Sequence, residues 1–153
     1  MATLFDGFYQ MGFVVADIAA AMETLGRVHG VTRFRHRAGA AWMDAAHAWV
    51  GSTMIELIEP REGAPAIYTA EPPPAAGAMR LHHHGYRVQD EAAWHAICAR
   101  IDAAGLATPM RGAVMNGALN YLYADTRALT GIYSEFVFLT GEALAIYDDV
   151  PRN

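Results

Sequence analysis

The chain has 153 residues, of which 54% are hydrophobic and 18% charged, so it can bury a sizeable core and is not expected to be disordered. Its formal net charge of −5 argues against nucleic acid or an acidic membrane surface as a partner. All 11 basic residues are arginine, which excludes a lysine Schiff base. No apolar stretch approaches the ~20 residues that span a membrane, and no signal peptide is visible. With the single cysteine Cys98 excluding an internal disulfide, we expect a soluble cytoplasmic protein.

The first sixty residues predict one strand, one helix and three further strands. Asp17 stands where a helix N-cap belongs, and Gly30 is placed to end that helix. Gly51-Ser52 indicates the turn of a hairpin. In chain order the predicted elements are a strand over 8–15, a helix over 18–28, a strand over 31–36, and strands over 45–50 and 53–59.

A proline-rich segment follows. Residues 60–79 contain Pro60, Pro65 and the run 72–74, which are five of the seven prolines. Proline fixes φ and removes a backbone donor, so this segment predicts a connector that belongs to no sheet. We therefore expect a first module over 1–60, a linker over 61–79, a second module over 80–140 and a tail over 141–153.

The second module predicts the same order of elements. Asp90 is placed to cap a helix that ends at Gly105, and Asn116-Gly117 is a turn signal. The predicted elements are a strand over 81–88, a helix over 91–104, and strands over 107–111, 119–124 and 131–139. A short helix is expected in the tail. The sequence thus predicts an α+β fold with two βαβββ modules in tandem.

An internal repeat supports this arrangement. Residues 10–17 read Gln-Met-Gly-Phe-Val-Val-Ala-Asp, and residues 83–90 read His-His-Gly-Tyr-Arg-Val-Gln-Asp. At one constant offset, four positions of the first copy match the second: Gly12 with Gly85, Phe13 with Tyr86, Val15 with Val88, and Asp17 with Asp90. Each copy opens on a side chain able to bind a metal, Gln10 or His83.

A strand later in each module carries a central glutamate. Glu56 lies among apolar neighbours on its face of the strand 53–59, and Glu135 lies between Tyr133 and Val137. A carboxylate there is costly unless it is paired or binds a metal. If the modules pack with approximate two-fold symmetry, Gln10, Glu56, His83 and Glu135 converge. One imidazole, two carboxylates and one amide oxygen suit a divalent ion such as Zn²⁺, Ni²⁺, Co²⁺, Mn²⁺ or Fe²⁺.

These segments resemble the vicinal oxygen chelate superfamily, which includes glyoxalase I, methylmalonyl-CoA epimerase, extradiol dioxygenases and bleomycin-binding proteins. The resemblance covers residues 8–140 and is carried by 10–17, 54–60, 83–90 and 133–137. It implies a curved mixed sheet around a central cavity, a homodimer, and metal ligands at Gln10, Glu56, His83 and Glu135. Gln10 stands where many members have histidine, although some glyoxalase I enzymes use glutamine.

The resemblance also implies a reaction. The expected function is a metal-dependent isomerase or lyase that moves a proton next to a carbonyl of a small substrate through a metal-stabilised enolate. Glu135 is the first candidate for the base and Glu56 the second. Tyr121, Tyr123 and Arg127 are candidates for orienting an anionic or phenolic substrate, and so are three residues of the first module: Arg33, Arg35 and His36.

Two rival functions stay open on the sequence. A metal-free protein that binds a drug or another small hydrophobic molecule would pair Glu56 and Glu135 with arginines. An iron-dependent dioxygenase usually takes two histidines and one carboxylate, whereas this chain offers only His83 at the matched positions.

Overall fold

The computed structural model describes residues 5–38 and 41–153 of the chain. These residues form eight strands and four α-helical segments, which confirms the α+β class. The first module runs strand, helix and three strands, as predicted. Its elements are β1 (Phe8–Val15), α1 (Ile18–His29), β2 (Arg35–Ala38), β3 (Met43–Val50) and β4 (Thr53–Pro60).

The four strands of the first module lie in the order β2-β3-β4-β1, with β1 parallel to β4 and the other pairs antiparallel. The predicted hairpin is confirmed, because the turn at Gly51-Ser52 pairs Val50 with Thr53. That two-residue turn fixes the register of the whole β3–β4 ladder, including the pairing of His47 with Glu56.

The first helix begins and ends where the sequence predicts. The Asp17 side chain accepts a hydrogen bond from the Ala20 N–H at 2.9 Å, and Gly30 ends the helix at φ +72°. Glu59 accepts from the Ile18 N–H at 2.9 Å, which satisfies another free donor of the first turn. The helix packs on one face of the sheet in a core formed by Val15, Ile18, Ala21, Leu25, Val31, Ala46, Ala48, Ile55 and Leu57.

The predicted strand over 31–36 is wrong at its start, because β2 begins only at Arg35. The backbone groups before it are satisfied in another way. The Asn153 side chain accepts from the N–H groups of Thr32 and Arg33 and donates to the Arg33 carbonyl. A side chain from the far end of the chain therefore takes the place of a neighbouring strand.

A helical turn, α2 (Ala66–Thr69), lies in the proline-rich segment and was not predicted. The second module then repeats the strand, helix and three-strand order. Its elements are β5 (Met79–Val88), α3 (Glu91–Ala103), β6 (Met110–Val114), β7 (Leu119–Ala124), a short helix α4 (Arg127–Thr130) and β8 (Tyr133–Leu139). Its strands lie in the order β5-β8-β7-β6, with β5 parallel to β8.

Several boundaries in this half differ from the prediction. The strand predicted from residue 81 begins at Met79, and the strand predicted from residue 131 begins at Tyr133. The strand expected over 107–111 begins at Met110, since Pro109 has no N–H to donate and the Ala107 carbonyl accepts from Asp125 instead. The helix expected in the tail is a 3₁₀ helix limited to Gly141–Ala145. Further on, the Pro151 carbonyl and the Asn153 N–H bond to the backbone of Trp49 in β3.

The described chain separates into two compact units. One contains the residues up to Tyr9 together with His83–Asp148, and the other contains Gln10–His82 with Asp149–Asn153. The predicted module boundaries stay a prediction. The core of the His83–Asp148 unit consists of Tyr86, Val88, Trp94, Cys98, Ile101, Leu122, Ala124 and Phe136. Among the described helices, none combines the length and apolar character that a bilayer crossing requires.

Candidate functional site

Gln10 lies in β1, where its side chain is almost completely buried, with 1% exposure. Its amide oxygen Oε1 has no hydrogen-bond partner among the described residues. An unsatisfied buried acceptor costs about 1–3 kcal/mol, so a native protein keeps one only for a reason such as a bound ion or water.

Glu56 is held by the neighbouring strand of the hairpin. It lies opposite Gly12 of β1 on one side and opposite His47 of β3 on the other. The Nε2 atom of His47 lies 2.9 Å from Oε1 of Glu56. Both side chains are largely buried, which strengthens the hydrogen bond between them.

The hydrogen bonds continue from His47 to the next strand. Arg35 of β2 lies opposite His47 in the register, and its Nη2 atom is 3.4 Å from Nδ1 of His47. The guanidinium of Arg35 also forms an ion pair with Asp149 in the tail. This hydrogen bond from Arg35 holds the pKa of the Asp149 carboxyl below its usual range, and the nearby charge of Arg37 acts in the same direction.

The second module brings a histidine and a glutamate directly together. His83 in β5 is completely buried, and its Nε2 atom lies 3.4 Å from Oε2 of Glu135 in β8. The His83 ring also meets the ring of Tyr123 edge to face, with 5.2 Å between centroids. Tyr123 lies opposite Glu135 in the β7–β8 register.

The two modules repeat one register around their glutamates. Gly12 lies opposite Glu56, and Gly85 lies opposite Glu135. The correspondence inferred from the sequence repeat is therefore present in the backbone. The next strand, however, places His47 beside Glu56 and Tyr123 beside Glu135. The two modules thus share a scaffold and differ in the partner of the carboxylate.

The geometry of the His83–Glu135 pair fits a metal. Two ligand atoms that each lie ~2.1 Å from one ion at a tetrahedral angle are ~3.4 Å apart, and the Nε2–Oε2 distance is 3.4 Å. The buried oxygen of Gln10 is a second feature that an ion would satisfy. Across residues 5–38 and 41–153, no three His, Cys, Asp or Glu side chains form a ready metal-binding cluster. The fit therefore rests on the His83–Glu135 pair and on the buried oxygen of Gln10.

The three residues predicted to bind substrate have different surroundings. Tyr123 is buried against His83, as described above. Tyr121 packs over Gly112, where a Cβ atom would lie 2.6 Å from its hydroxyl oxygen.

Arg127 forms a two-pronged ion pair with Asp125 at 2.9 and 2.7 Å, and its guanidinium lies 4.7 Å from the centre of the Tyr133 ring. These hydrogen bonds hold the pKa of Asp125 below its usual range. The role of all three residues in substrate binding stays a prediction.

His47 was missed by the sequence analysis, although a signal for it was present. The predicted turn at Gly51-Ser52 fixes the pairing of Val50 with Thr53, and counting back along both strands places His47 beside Glu56. Strand alternation indicates the face on which Glu56 lies, whereas its cross-strand neighbour follows only from the hairpin register.

The family model described as Glyoxalase/Bleomycin resistance protein/Dioxygenase superfamily matches residues 9–124. The chain belongs to this superfamily. No protein of curated function matches the sequence.

Solved structures of methylmalonyl-CoA epimerases share the fold. The enzyme from Mycobacterium tuberculosis is 17% identical, with a TM-score of 0.68 over 95% of each chain. A variant of the Streptomyces coelicolor enzyme, bound to 2-nitronate-propionyl-CoA, is 17% identical, with a TM-score of 0.63 over 89% of this chain and 99% of that one. A hypothetical protein from Bacillus halodurans is 19% identical, with a TM-score of 0.57 over 89% of this chain and 96% of that one.

Proposed function

We propose that this protein is a metal-dependent isomerase or lyase of the glyoxalase type, acting on a small organic carbonyl compound. The observation that carries the proposal is the buried His83–Glu135 pair, whose 3.4 Å separation suits two ligands of one ion. The repeat supplies Gln10 and Glu56 at the equivalent positions of the other module. Family membership and the structural likeness to epimerases support this class of reaction.

In this proposal Gln10, Glu56, His83 and Glu135 are the ligands of a divalent ion of the Zn, Ni, Co, Mn or Fe group. When bound, such an ion acts as a Lewis acid on a substrate oxygen. Two carboxylates offset the double positive charge, and the buried imidazole and amide supply neutral ligands.

The chain's own carboxylates move the proton. Glu135 is the first candidate for the base that takes the proton from the carbon next to the carbonyl, and Glu56 is the second. A histidine nitrogen lies near each carboxylate, 3.4 Å away between His83 and Glu135 and 2.9 Å away between His47 and Glu56. The rival, a metal-free binding protein that pairs the two glutamates with arginines, predicts that the purified protein takes up no metal.

Metal content is the first test. Protein purified without chelators is expected to carry about one equivalent of a divalent transition metal, measured by elemental mass spectrometry. The variant His83→Gln is expected to lose most of it, whereas His95→Gln, at an exposed helical histidine, is expected to keep it. Wild-type protein that carries no metal and takes up none of Ni²⁺, Co²⁺, Mn²⁺ or Zn²⁺ would exclude the proposal.

Proton exchange is the second test. In D₂O the metal-loaded protein is expected to exchange the proton next to the carbonyl of its substrate, followed by NMR over a panel of small 2-oxo acids and acyl thioesters. Removal of the base in Glu135→Gln is expected to slow exchange by about 10²–10⁴-fold. Equal exchange by wild type and Glu135→Gln would exclude Glu135 as the base.

The finer features of the proposal are a homodimer and a cytoplasmic location. Light scattering after size-exclusion chromatography measures the mass, for which one chain contributes 16.6 kDa.

A further inference from the structure

Three side chains form a row across neighbouring strands of the first module. Arg35, His47 and Glu56 lie opposite one another in the β2–β3 and β3–β4 registers. We propose that His47 is a positioning residue for Glu56, and that Arg35 fixes which nitrogen of the His47 ring carries the proton. This inference rests on the proposed function, in which Glu56 is a metal ligand and a candidate base. The tautomer of His47 can be measured whatever the protein catalyses.

The tautomer follows from the donors available. Arginine has only N–H donors, so the 3.4 Å contact from Arg35 requires Nδ1 of His47 to accept. In a neutral imidazole the proton is then on Nε2. That nitrogen lies 2.9 Å from Oε1 of Glu56 and donates to it.

The three side chains of the row are largely buried, which stabilises the hydrogen bonds between them. The side chains of Arg35 and His47 are each 10% exposed, and that of Glu56 is 13% exposed. Water competes weakly for hydrogen bonds at such positions. Asp149 holds the guanidinium of Arg35 from the tail, so the row is anchored at its outer end.

The consequence for Glu56 is a fixed carboxylate plane. Oε1 is committed to the Nε2–H donor of His47, which determines where Oε2 is presented. A hydrogen bond from a neighbouring side chain is a common way to orient a metal-ligating or proton-transferring carboxylate. The second module places Tyr123 at the equivalent position, so the device belongs to Glu56 alone of the two glutamates.

The tautomer is measured first, on metal-free protein labelled with ¹⁵N-histidine. The ring nitrogen shifts of His47 are expected to show the proton on Nε2 in wild type and a mixture of tautomers in Arg35→Met. Asp149→Asn, which keeps the Arg35 donor, is expected to leave the Nε2 tautomer dominant. A proton on Nδ1 in wild type, or no change in Arg35→Met, would overturn the proposal, whatever the protein catalyses.

Metal affinity supplies the second readout. Loss of the donor in His47→Phe is expected to weaken Zn²⁺ binding by about 10–100-fold, measured by calorimetric titration. His47→Gln, which keeps an N–H donor near the Nε2 position, is expected to recover most of this loss. His95→Phe is the matched control for removal of a histidine and is expected to bind like wild type.

The pair of variants separates positioning from structural support. If His47 acts through Glu56, then adding His47→Phe to the Glu56→Gln variant weakens Zn²⁺ binding little further. The positioning role would be contradicted if His47→Phe lowered the Zn²⁺ affinity equally in wild type and in Glu56→Gln. It would also be contradicted if His47→Gln bound Zn²⁺ as weakly as His47→Phe. If wild type binds no metal at all, the proposed function fails, and the tautomer measurement alone decides the proposal on His47 and Arg35.

Discussion

The backbone conformation at position 7 requires a glycine. It adopts φ +81°, and a Cβ atom there would lie 2.1 Å from the carbonyl oxygen of Arg87. The Gly7 carbonyl also accepts a hydrogen bond from the Arg87 N–H at 2.7 Å. We predict that Gly7→Ala lowers the free energy of unfolding by roughly 2–4 kcal/mol, because overpacking and left-handed strain add together. Urea unfolding followed by circular dichroism measures the change.

Gly30 provides a matched control for that prediction. It adopts φ +72° at the end of α1, and a Cβ atom there would meet nothing within 4 Å. Gly30→Ala therefore introduces left-handed strain without a clash and is expected to cost about 1–2 kcal/mol. Equal losses in the two variants would show that the Arg87 carbonyl moves aside at little cost.

Single residues were predictable where their contacts are local. Asp17 and Asp90 cap helices through N–H groups three residues ahead, so the sequence pattern contains the whole interaction. The bonds of Asn153 to Thr32 and Arg33 join opposite ends of the chain, and no local pattern indicates them. His47 falls between these cases, since its contact with Glu56 follows from the hairpin register.

At the scale of elements, ion pairs join the C-terminal tail to β2. Asp149 accepts from Arg35, which is the main reason for its lowered pKa, and Arg37 lies beside it. A carboxyl whose native pKa is lowered stabilises the fold above its ordinary pKa, and this contribution is lost as the pH falls through the native value. We predict a small destabilisation of Asp149→Asn from pH 7 to 5 that begins to shrink near pH ~4 and vanishes once the pH is below the lowered native pKa.

Urea unfolding of wild type and Asp149→Asn across this pH range measures that difference. The neighbouring Asp148→Asn variant removes the same charge, and the Asp148 side chain makes no hydrogen bond or ion pair with the described residues. It is expected to show no such pH-dependent difference. High salt is expected to reduce the Asp149 effect, because the Asp149 carboxylate is half exposed to solvent. If the difference in unfolding free energy between wild type and Asp149→Asn persisted undiminished at low pH, the ion pair would be excluded as its cause.

Element order was predictable because hydrophobic alternation, helix caps and glycine turns are repeated in both modules. Element boundaries were less predictable where another contact replaced a strand partner, as at Thr32 and Pro109. The short helices α2 and α4 have four residues each, which is too few for a periodic pattern. The sequence therefore predicted the architecture and left these local details open.

At the scale of the whole molecule, the two modules keep one backbone plan and diverge in their side chains. The glycine–glutamate register is the same in both, whereas Gln10 replaces His83 and His47 replaces Tyr123. A repeated scaffold fixes where a side chain starts and leaves its chemistry free to change. This is why the repeat predicted the fold well and the contacts of the carboxylates only in part.

The buried Gln10 oxygen links metal binding to the stability of the whole protein. Gln10→Met removes this unsatisfied acceptor at similar volume, so we predict that the metal-free variant is more stable than wild type by about 1–3 kcal/mol. Zn²⁺ at 100 times its dissociation constant is expected to stabilise wild type by about 2.7 kcal/mol, and the same concentration should stabilise the variant less. Urea unfolding with chelator and with Zn²⁺ measures both effects.

Met54→Leu, at the completely buried neighbour of Gln10, is the control and should keep the full stabilisation by Zn²⁺. A Gln10→Met variant that is less stable without metal and gains as much with it would show that this oxygen is not a ligand.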